Sequence, residues 1–189
     1  FISSDKGQEM ANQKMLSLET INQILEKEEI PRTYFICGNF VESMINNFGP
    51  KRVKNAFNSM SKLVEIGDHS YSHKNGWKSN LSNYLNDIEE CQKLMPKNKL
   101  FRPPYGKISA LQIRRLKKKY KIILWDVLSW DFSLSIAPSK VKRNVMKNTK
   151  QGSIIVFHNN QKSFQNLTSI LKETIQELKQ KGFSFSTTW

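Results

Sequence analysis

Two of the chain's three histidines, His69 and His73, stand four residues apart in His69-Ser70-Tyr71-Ser72-His73. In a helical turn that spacing aims two imidazoles at one point about the size of a metal ion. Neutral imidazole is a good zinc ligand, and a third, oxygen ligand leaves a position open for water. The third histidine, His158, closes the apolar run Ser153-Ile154-Ile155-Val156-Phe157. Asp131 lies in Trp125-Asp126-Val127-Leu128-Ser129-Trp130-Asp131-Phe132, where a carboxylate beside aromatics can orient a histidine ring. Phe132 or Trp130 can wall a small acyl group. In Phe101-Arg102-Pro103-Pro104-Tyr105-Gly106 two prolines fix an extended course and the glycine permits a sharp turn. Such a segment can hold Arg102 inward and present the Tyr105 backbone N–H to an oxyanion. Each feature has a plainer reading: a polar turn, a strand-end histidine, a stiff loop, a core tryptophan at Trp125. Their joint occurrence at predicted strand ends favours chemistry.

The elements that would position these residues alternate along the chain. Strand candidates are Phe1 to Ser4, Thr33 to Cys37, Leu63 to Ile66, Lys99 to Phe101, Lys121 to Val127, Ser153 to Phe157 and Phe183 to Thr187. Helical spacing unites Leu18, Ile21 and Leu25; Tyr84, Ile88, Cys91 and Met95; Ile113, Leu116 and Tyr120; and Leu167, Leu171, Ile175 and Leu178. Pro138 and Ser139 open a further helix towards Lys150, and Gly182 reads as a helix stop. About seven strand–helix alternations imply an α/β fold with a mainly parallel sheet, open or closed, whose site lies at the carboxyl ends of the strands.

In their order along the chain, the motifs of His69/His73, Arg102, Asp131 and His158 resemble the polysaccharide deacetylase family, the NodB-homology group also called carbohydrate esterase family 4. Ile21 to Cys37 is similar to that family's first helix and following strand, and Gly182-Phe183-Ser184-Phe185 to its closing stretch. The resemblance spans nearly the whole chain. It implies a distorted (β/α)7 barrel formed by residues 1–189 as one domain, and removal of N-acetyl groups from an N-acetylglucosamine-containing polysaccharide. It implies a divalent metal, usually zinc, held by one Asp together with His69 and His73. Water would attack the acetamide carbonyl with an Asp as general base. The Tyr105 N–H would meet the oxyanion and His158 would protonate the leaving amine. Asp131 would tune His158 and Arg102 would orient the base, while Pro103, Phe132 and Val156 would contact substrate.

One motif departs from the family's pattern. Where the family has two successive Asp residues before a Gly, this chain has Ser3-Ser4-Asp5-Lys6-Gly7, with a single carboxylate. One alignment makes Asp5 the base with Lys6 in the ligand position; sliding by one makes Asp5 the ligand with Ser4 in place of the base. Two histidines alone would bind zinc poorly, so Asp5 is taken as the third ligand, with Glu9 a substitute from the lengthened loop. A Lys beside a dication is costly unless it points away or is neutral. The alternative reading is a catalytically impaired protein that still binds glycan.

Composition narrows the remaining classes. The 189 residues suit one domain, and 38% hydrophobic with 24% charged residues is the balance of a soluble globular chain. No apolar run nears the roughly 20 residues that cross a bilayer. The chain starts at Phe1, so an upstream signal or anchor is expected, with a place in the cell envelope or outside the cell. The net charge of +14 suits an anionic partner, but nucleic acid is not expected, for no recognised fold or aromatic–basic motif accompanies it. Lys117-Lys118-Lys119 reads as a solvated helix face. Cys37 and Cys91 permit one bridge but are read as unpaired, buried thiols.

Overall fold

Helix α1 covers residues 19–27 of the computed structural model, which describes residues 19–160 and 163–187. The expectations placed on Phe1 to Ser4, Asp5, Lys6, Glu9 and Leu18 lie outside those residues. The chain divides into two compact units, Arg32–Leu124 on the one hand and the described parts of Phe1–Pro31 and Trp125–Trp189 on the other.

In the first unit, strands β1 (Arg32–Ile36), β2 (Val64–Asp68), β3 (Leu100–Phe101) and β4 (Lys121–Ile122) form one parallel sheet in that order. Arg32 pairs with Val64, Asp68 with Phe101, and Leu100 with Lys121. Parallel neighbours need long crossovers. These are supplied by α2 (Gly38–Phe48) and α3 (Pro50–Asn58), then α4 (Leu81–Lys93), then α5 (Ala110–Leu116). Tyr84, Ile88, Phe101, Leu116 and Tyr120 make one core cluster, and Val41, Cys91 and Met95 another. The helical spacing read from Tyr84 to Met95 is therefore a buried face. Ile113 differs: it is exposed, and Leu116 and Tyr120 alone carry the core side of α5 and its C-terminal turn. Helices α2 and α3 were not foreseen. The α2 N-cap, Cys37, makes no side-chain cap bond; the Gly38 and Asn39 amides donate instead to the Ser70 and Tyr71 carbonyls. Helix α3 has no fully buried residue; its short apolar stripe, Val53 and Phe57, packs half-buried against the Val41, Cys91 and Met95 cluster.

In the second unit, β5 (Val127–Leu128) and β6 (Ile155–Val156) pair in parallel, joined through α6 (Pro138–Asn148) and followed by α7 (Phe164–Gln180). Ile21, Leu25 and Ile30 meet Leu167, Leu171 and Ile175 in one cluster; Val127, Val145 and Leu178 form another. Gly182, at φ 86°, ends α7, with the Phe183 amide returning to the Leu178 carbonyl at 3.1 Å.

Two expected strands are corrected. Lys121 to Val127 is not one strand but parts of two, β4 and β5. Between them the Ile123 and Leu124 carbonyls accept from the Arg102 guanidinium at 3.3 and 3.1 Å, in place of a ladder partner. Phe183 to Thr187 forms no ladder among the described residues. Phe183 and Phe185 pack on the cores of their unit, which accounts for the alternation that read as a strand. Cys37 and Cys91 are unbridged, as expected; their thiols donate to the His69 and Ile36 carbonyls.

Candidate active site

All four motifs follow strand carboxyl ends, where side chains leave the sheet and converge on loops. His69 directly follows β2, Arg102 directly follows β3, Trp130 and Asp131 come just after β5, and His158 comes two residues after β6. Among the described residues five non-glycine residues have positive φ. Four of them, Ser70 (62°), His73 (56°), Tyr105 (60°) and Trp130 (67°), lie in these motifs, and the fifth, Glu29, lies just after α1. A non-glycine residue in that region costs about 1 kcal/mol or more and persists only where surrounding contacts over-determine it. The motif loops are built to that standard.

The histidine loop of the first unit is tied down along its length. The His69 amide donates to the Ile36 carbonyl, and the Tyr71 amide to the Asp87 carbonyl, at 3.1 and 3.0 Å. Fully buried Asp68 accepts the Ser70 amide at 2.8 Å, which braces the left-handed turn, and burial pushes its carboxyl up to about 7. The Ser72 hydroxyl and amide donate to the two Asp87 oxygens at 2.7 and 3.1 Å, and Lys74 Nζ lies 3.2 Å from Asp87. Burial pushes the Asp87 carboxyl up, but these donors outweigh it and hold it below its ordinary range. Tyr71 donates to Glu42 at 2.6 Å.

The rings of His69 and His73 lie edge to face with centroids 4.9 Å apart. His69 Nδ1 lies 2.6 Å from the Arg102 carbonyl, so this nitrogen carries the proton and the Nε2 lone pair is the one that can bind a metal. Two adjacent imidazoles, one with its Nδ1 proton held by a carbonyl, fit the nitrogen part of a divalent-metal site. Among the described residues no group of three His, Cys, Asp or Glu side chains completes such a site, and Asp5, the expected third ligand, lies outside them.

Arg102 is buried, with its guanidinium 4.1 Å over the Phe35 ring as well as on the two carbonyls after β4. Burial lowers its pKa to about 10, so it stays charged at neutral pH. Pro103 and Pro104 are fully buried. The bonds closing the next turn use the Gly106 and Lys107 amides, donating to the Pro103 and Pro104 carbonyls at 3.0 and 3.1 Å, not the Tyr105 amide. The exposed Tyr105 ring stands edge to face on His73, centroids 4.6 Å apart.

In the second unit, His158 Nδ1 lies 2.8 Å from Asp131 Oδ1, and the His158 amide donates to Asp131 Oδ2 at 2.8 Å. Asp131 is fully buried and also accepts the Ser129 hydroxyl at 2.8 Å. A carboxylate so placed holds the ring with its Nδ1–H on Asp131, which leaves Nε2 as the nitrogen for proton exchange. Phe132 stands edge to face on the His158 ring at 4.7 Å, and Val156 is buried in β6. Ser163 donates to the His158 carbonyl. Asn166 donates to the Asp131 carbonyl at 3.0 Å, and Asn144 to the Leu128 carbonyl at 2.6 Å.

Within each unit the expected residues come together: His69, His73, Arg102 and Tyr105 in one, Asp131, Phe132 and His158 in the other. Asp87, Ser72, Ser129, Asn144 and Asn166 were missed. Their only sequence signal is a polar residue type, at positions that, Ser72 excepted, prove buried or half-buried.

The model of the polysaccharide deacetylase family matches residues 10–122. The chain is 29% identical over 180 residues to a peptidoglycan-N-acetylglucosamine deacetylase of Bacillus cereus, covering 90% of this chain and 62% of that protein. It is 26% identical over 199 residues to a bifunctional xylanase/deacetylase of Pseudobutyrivibrio xylanivorans, 97% of this chain and 31% of the other. The chain thus spans only part of these relatives. Among solved structures, a peptidoglycan N-acetylglucosamine deacetylase superposes with a TM-score of 0.76 at 28% identity, covering 89% of this chain and 78% of that one. A protein of Bacillus anthracis described as a CE4 family pseudoenzyme superposes at 0.75 with 23% identity, covering 89% and 58%. The expected α/β fold of the deacetylase type is thereby shown.

Proposed function

We propose, from the premise that this chain belongs to the polysaccharide deacetylase family, that it removes N-acetyl groups from an N-acetylglucosamine-containing polysaccharide with the help of a divalent metal. The observation that carries the reading is the His69 ring, held at Nδ1 by the Arg102 carbonyl so that Nε2 is left for a metal, beside His73. His69, His73 and Asp5 would hold the metal, with zinc favoured by the two imidazoles. When bound, the metal polarises the acetamide carbonyl and lowers the pKa of attacking water. The Tyr105 amide donates to the carbonyl oxygen as charge develops there. His158 gives its proton to the leaving amine, with Asp131 holding the ring. Arg102 positions His69 through its carbonyl. Phe132 and Val156 wall the acetyl methyl. The substrate is a cell-wall or chitin-like polymer, which places the protein in the cell envelope or outside the cell; no described helix is long and apolar enough to cross a membrane.

The test is acetate release from N-acetylglucosamine oligomers and from peptidoglycan. Activity is expected to vanish on chelation, return with zinc, and fall at least about a hundredfold in His73→Ala. No acetate from any N-acetylated glycan refutes the reading.

The single carboxylate of Ser3-Ser4-Asp5-Lys6-Gly7 supports a second reading, in which the chain binds glycan without turnover. Glycan binding that survives chelation, together with acetate release gained by Lys6→Asp, selects this alternative.

A further inference from the structure

Trp77, four residues after His73, is 67% exposed. An exposed indole is usually incidental when its surroundings are loose. Here they are not. The indole Nε1–H donates to the Ile108 carbonyl at 3.2 Å, and the Trp77 amide donates to the Asn75 side chain at 3.0 Å. The 3₁₀ turn Gly76–Lys78 that carries it is joined to the Tyr105 loop, with the Gly76 amide donating to the Lys107 carbonyl at 3.1 Å. Gln112, 2% exposed, donates to the Gly76 and Ser79 carbonyls at 2.9 and 3.4 Å, and its Oε1 accepts the Ser109 amide at 2.9 Å. A Cβ on Gly76 would lie 2.4 Å from the Lys107 carbonyl oxygen and 2.7 Å from Gln112 Oε1, so only glycine permits this approach. Lys107 Nζ stands 5.3 Å from the indole centroid. A buried amide thus joins two motif loops so that a tryptophan face and an ammonium group are presented together.

We propose that Trp77 and Lys107 form a glycan subsite beside the His69/His73 and Tyr105 loops, one that takes a sugar ring bearing a carboxylate. The proposal rests on the deacetylase reading and names its substrate class as an acidic amino-sugar polymer. The indole N–H is already engaged, so what the ring offers is its apolar face, which matches the C–H face of a pyranose. A cation held against the same indole selects a ring with an anionic substituent, such as a lactyl ether with its carboxylate free of any peptide, over a neutral one. The chain's charge of +14 acts in the same direction. The covalent continuity is direct: Trp77 follows the His69/His73 loop, and Lys107 is two residues after Tyr105, whose ring touches His73.

The experiment compares the full chain with Trp77→Ala, Trp77→Phe and Lys107→Gln, each checked for unchanged circular dichroism. Calorimetric binding and acetate release are measured on two probes: the neutral tetramer of N-acetylglucosamine, and a peptidoglycan tetrasaccharide containing muramic acid. Trp77→Ala is expected to weaken binding of both about tenfold, raising KM with kcat unchanged, while Trp77→Phe loses about threefold or less. Lys107→Gln is expected to weaken the acidic probe alone, by about fivefold. Binding of both probes by Trp77→Ala within about twofold of the parent overturns the subsite. Equal losses on both probes in Lys107→Gln overturn the carboxylate preference. Trp77-dependent binding without acetate release keeps the subsite and removes the hydrolytic reading. Acetate release at unchanged KM in Trp77→Ala does the reverse, and a parent that binds neither probe overturns the subsite outright.

Discussion

Asp131 concentrates the chemistry of its unit in two oxygen atoms. Three donors converge on them: the His158 amide, His158 Nδ1–H and the Ser129 hydroxyl. Asp131→Asn replaces one acceptor with an NH₂ group, so at least one buried donor faces another donor. The expected outcome is a loss of about 1–3 kcal/mol in stability by urea unfolding. Acetate release should fall between about a hundredfold and ten-thousandfold, with KM little changed. Nitrogen NMR of the His158 ring would show loss of the Nδ1–H tautomer, which a purely structural defect elsewhere would not produce. At this scale the sequence was informative wherever residue type itself carries chemistry, as with His69, His73, His158 and Asp131. It was silent on Ser129, Asn144 and Asn166, because serine and asparagine acquire their roles only from partners that folding brings to them, such as Asn166 and the Asp131 carbonyl, 35 residues apart.

Helix α4 positions the histidine loop through one side chain. Asp87 accepts twice from Ser72 and pairs with Lys74, on either side of His73. Its carboxyl titrates below the ordinary 3.8 in the folded chain, because those donors outweigh its burial. As pH falls, the unfolded chain therefore takes up this proton first. The stabilisation is fully present above 3.8 and disappears as pH drops through the lower folded-state value. Asp87→Asn should unfold about 1–3 kcal/mol more easily at neutral pH. The gap in thermal midpoint between the two proteins should close below pH 3.8; a gap that persists there contradicts the assignment. Such couplings also explain which elements could be read. Helices α4 and α7 carry a continuous buried stripe and were legible. Helix α2 was not, since its first amides are capped by carbonyls 32 residues ahead, and α3 offers only the half-buried pair Val53 and Phe57. The apparent strand from Lys121 to Val127 breaks where the Arg102 guanidinium claims its carbonyls, a competition invisible in the local pattern.

For the whole chain, motif order carried the family and the alternation carried the α/β class, whereas the first motif's change to Asp5-Lys6 leaves turnover to experiment. Net charge acts at this same scale. The cations are scattered, and many sit on exposed faces such as Lys117 to Lys119 in the described residues. Exposed ion pairs such as Lys93–Glu90 and Lys119–Glu89 neutralise only a few of them. An excess of +14 spread in this way makes a long-range field, not a local contact. That field shrinks with salt, from a reach of about 10 Å at 0.1 M to about 3 Å at 1 M. Retention on an anionic wall polymer should therefore fall at least about tenfold between low salt and about 0.5 M, while affinity for neutral chitin oligomers changes by less than about twofold. Neutralising any one exposed lysine outside the glycan subsite should leave the salt dependence nearly unaltered, because each contributes one charge among many. Co-sedimentation across a salt series separates the alternatives. A neutral polymer that dissociates as steeply as an anionic one would show that the charge excess does not select the partner.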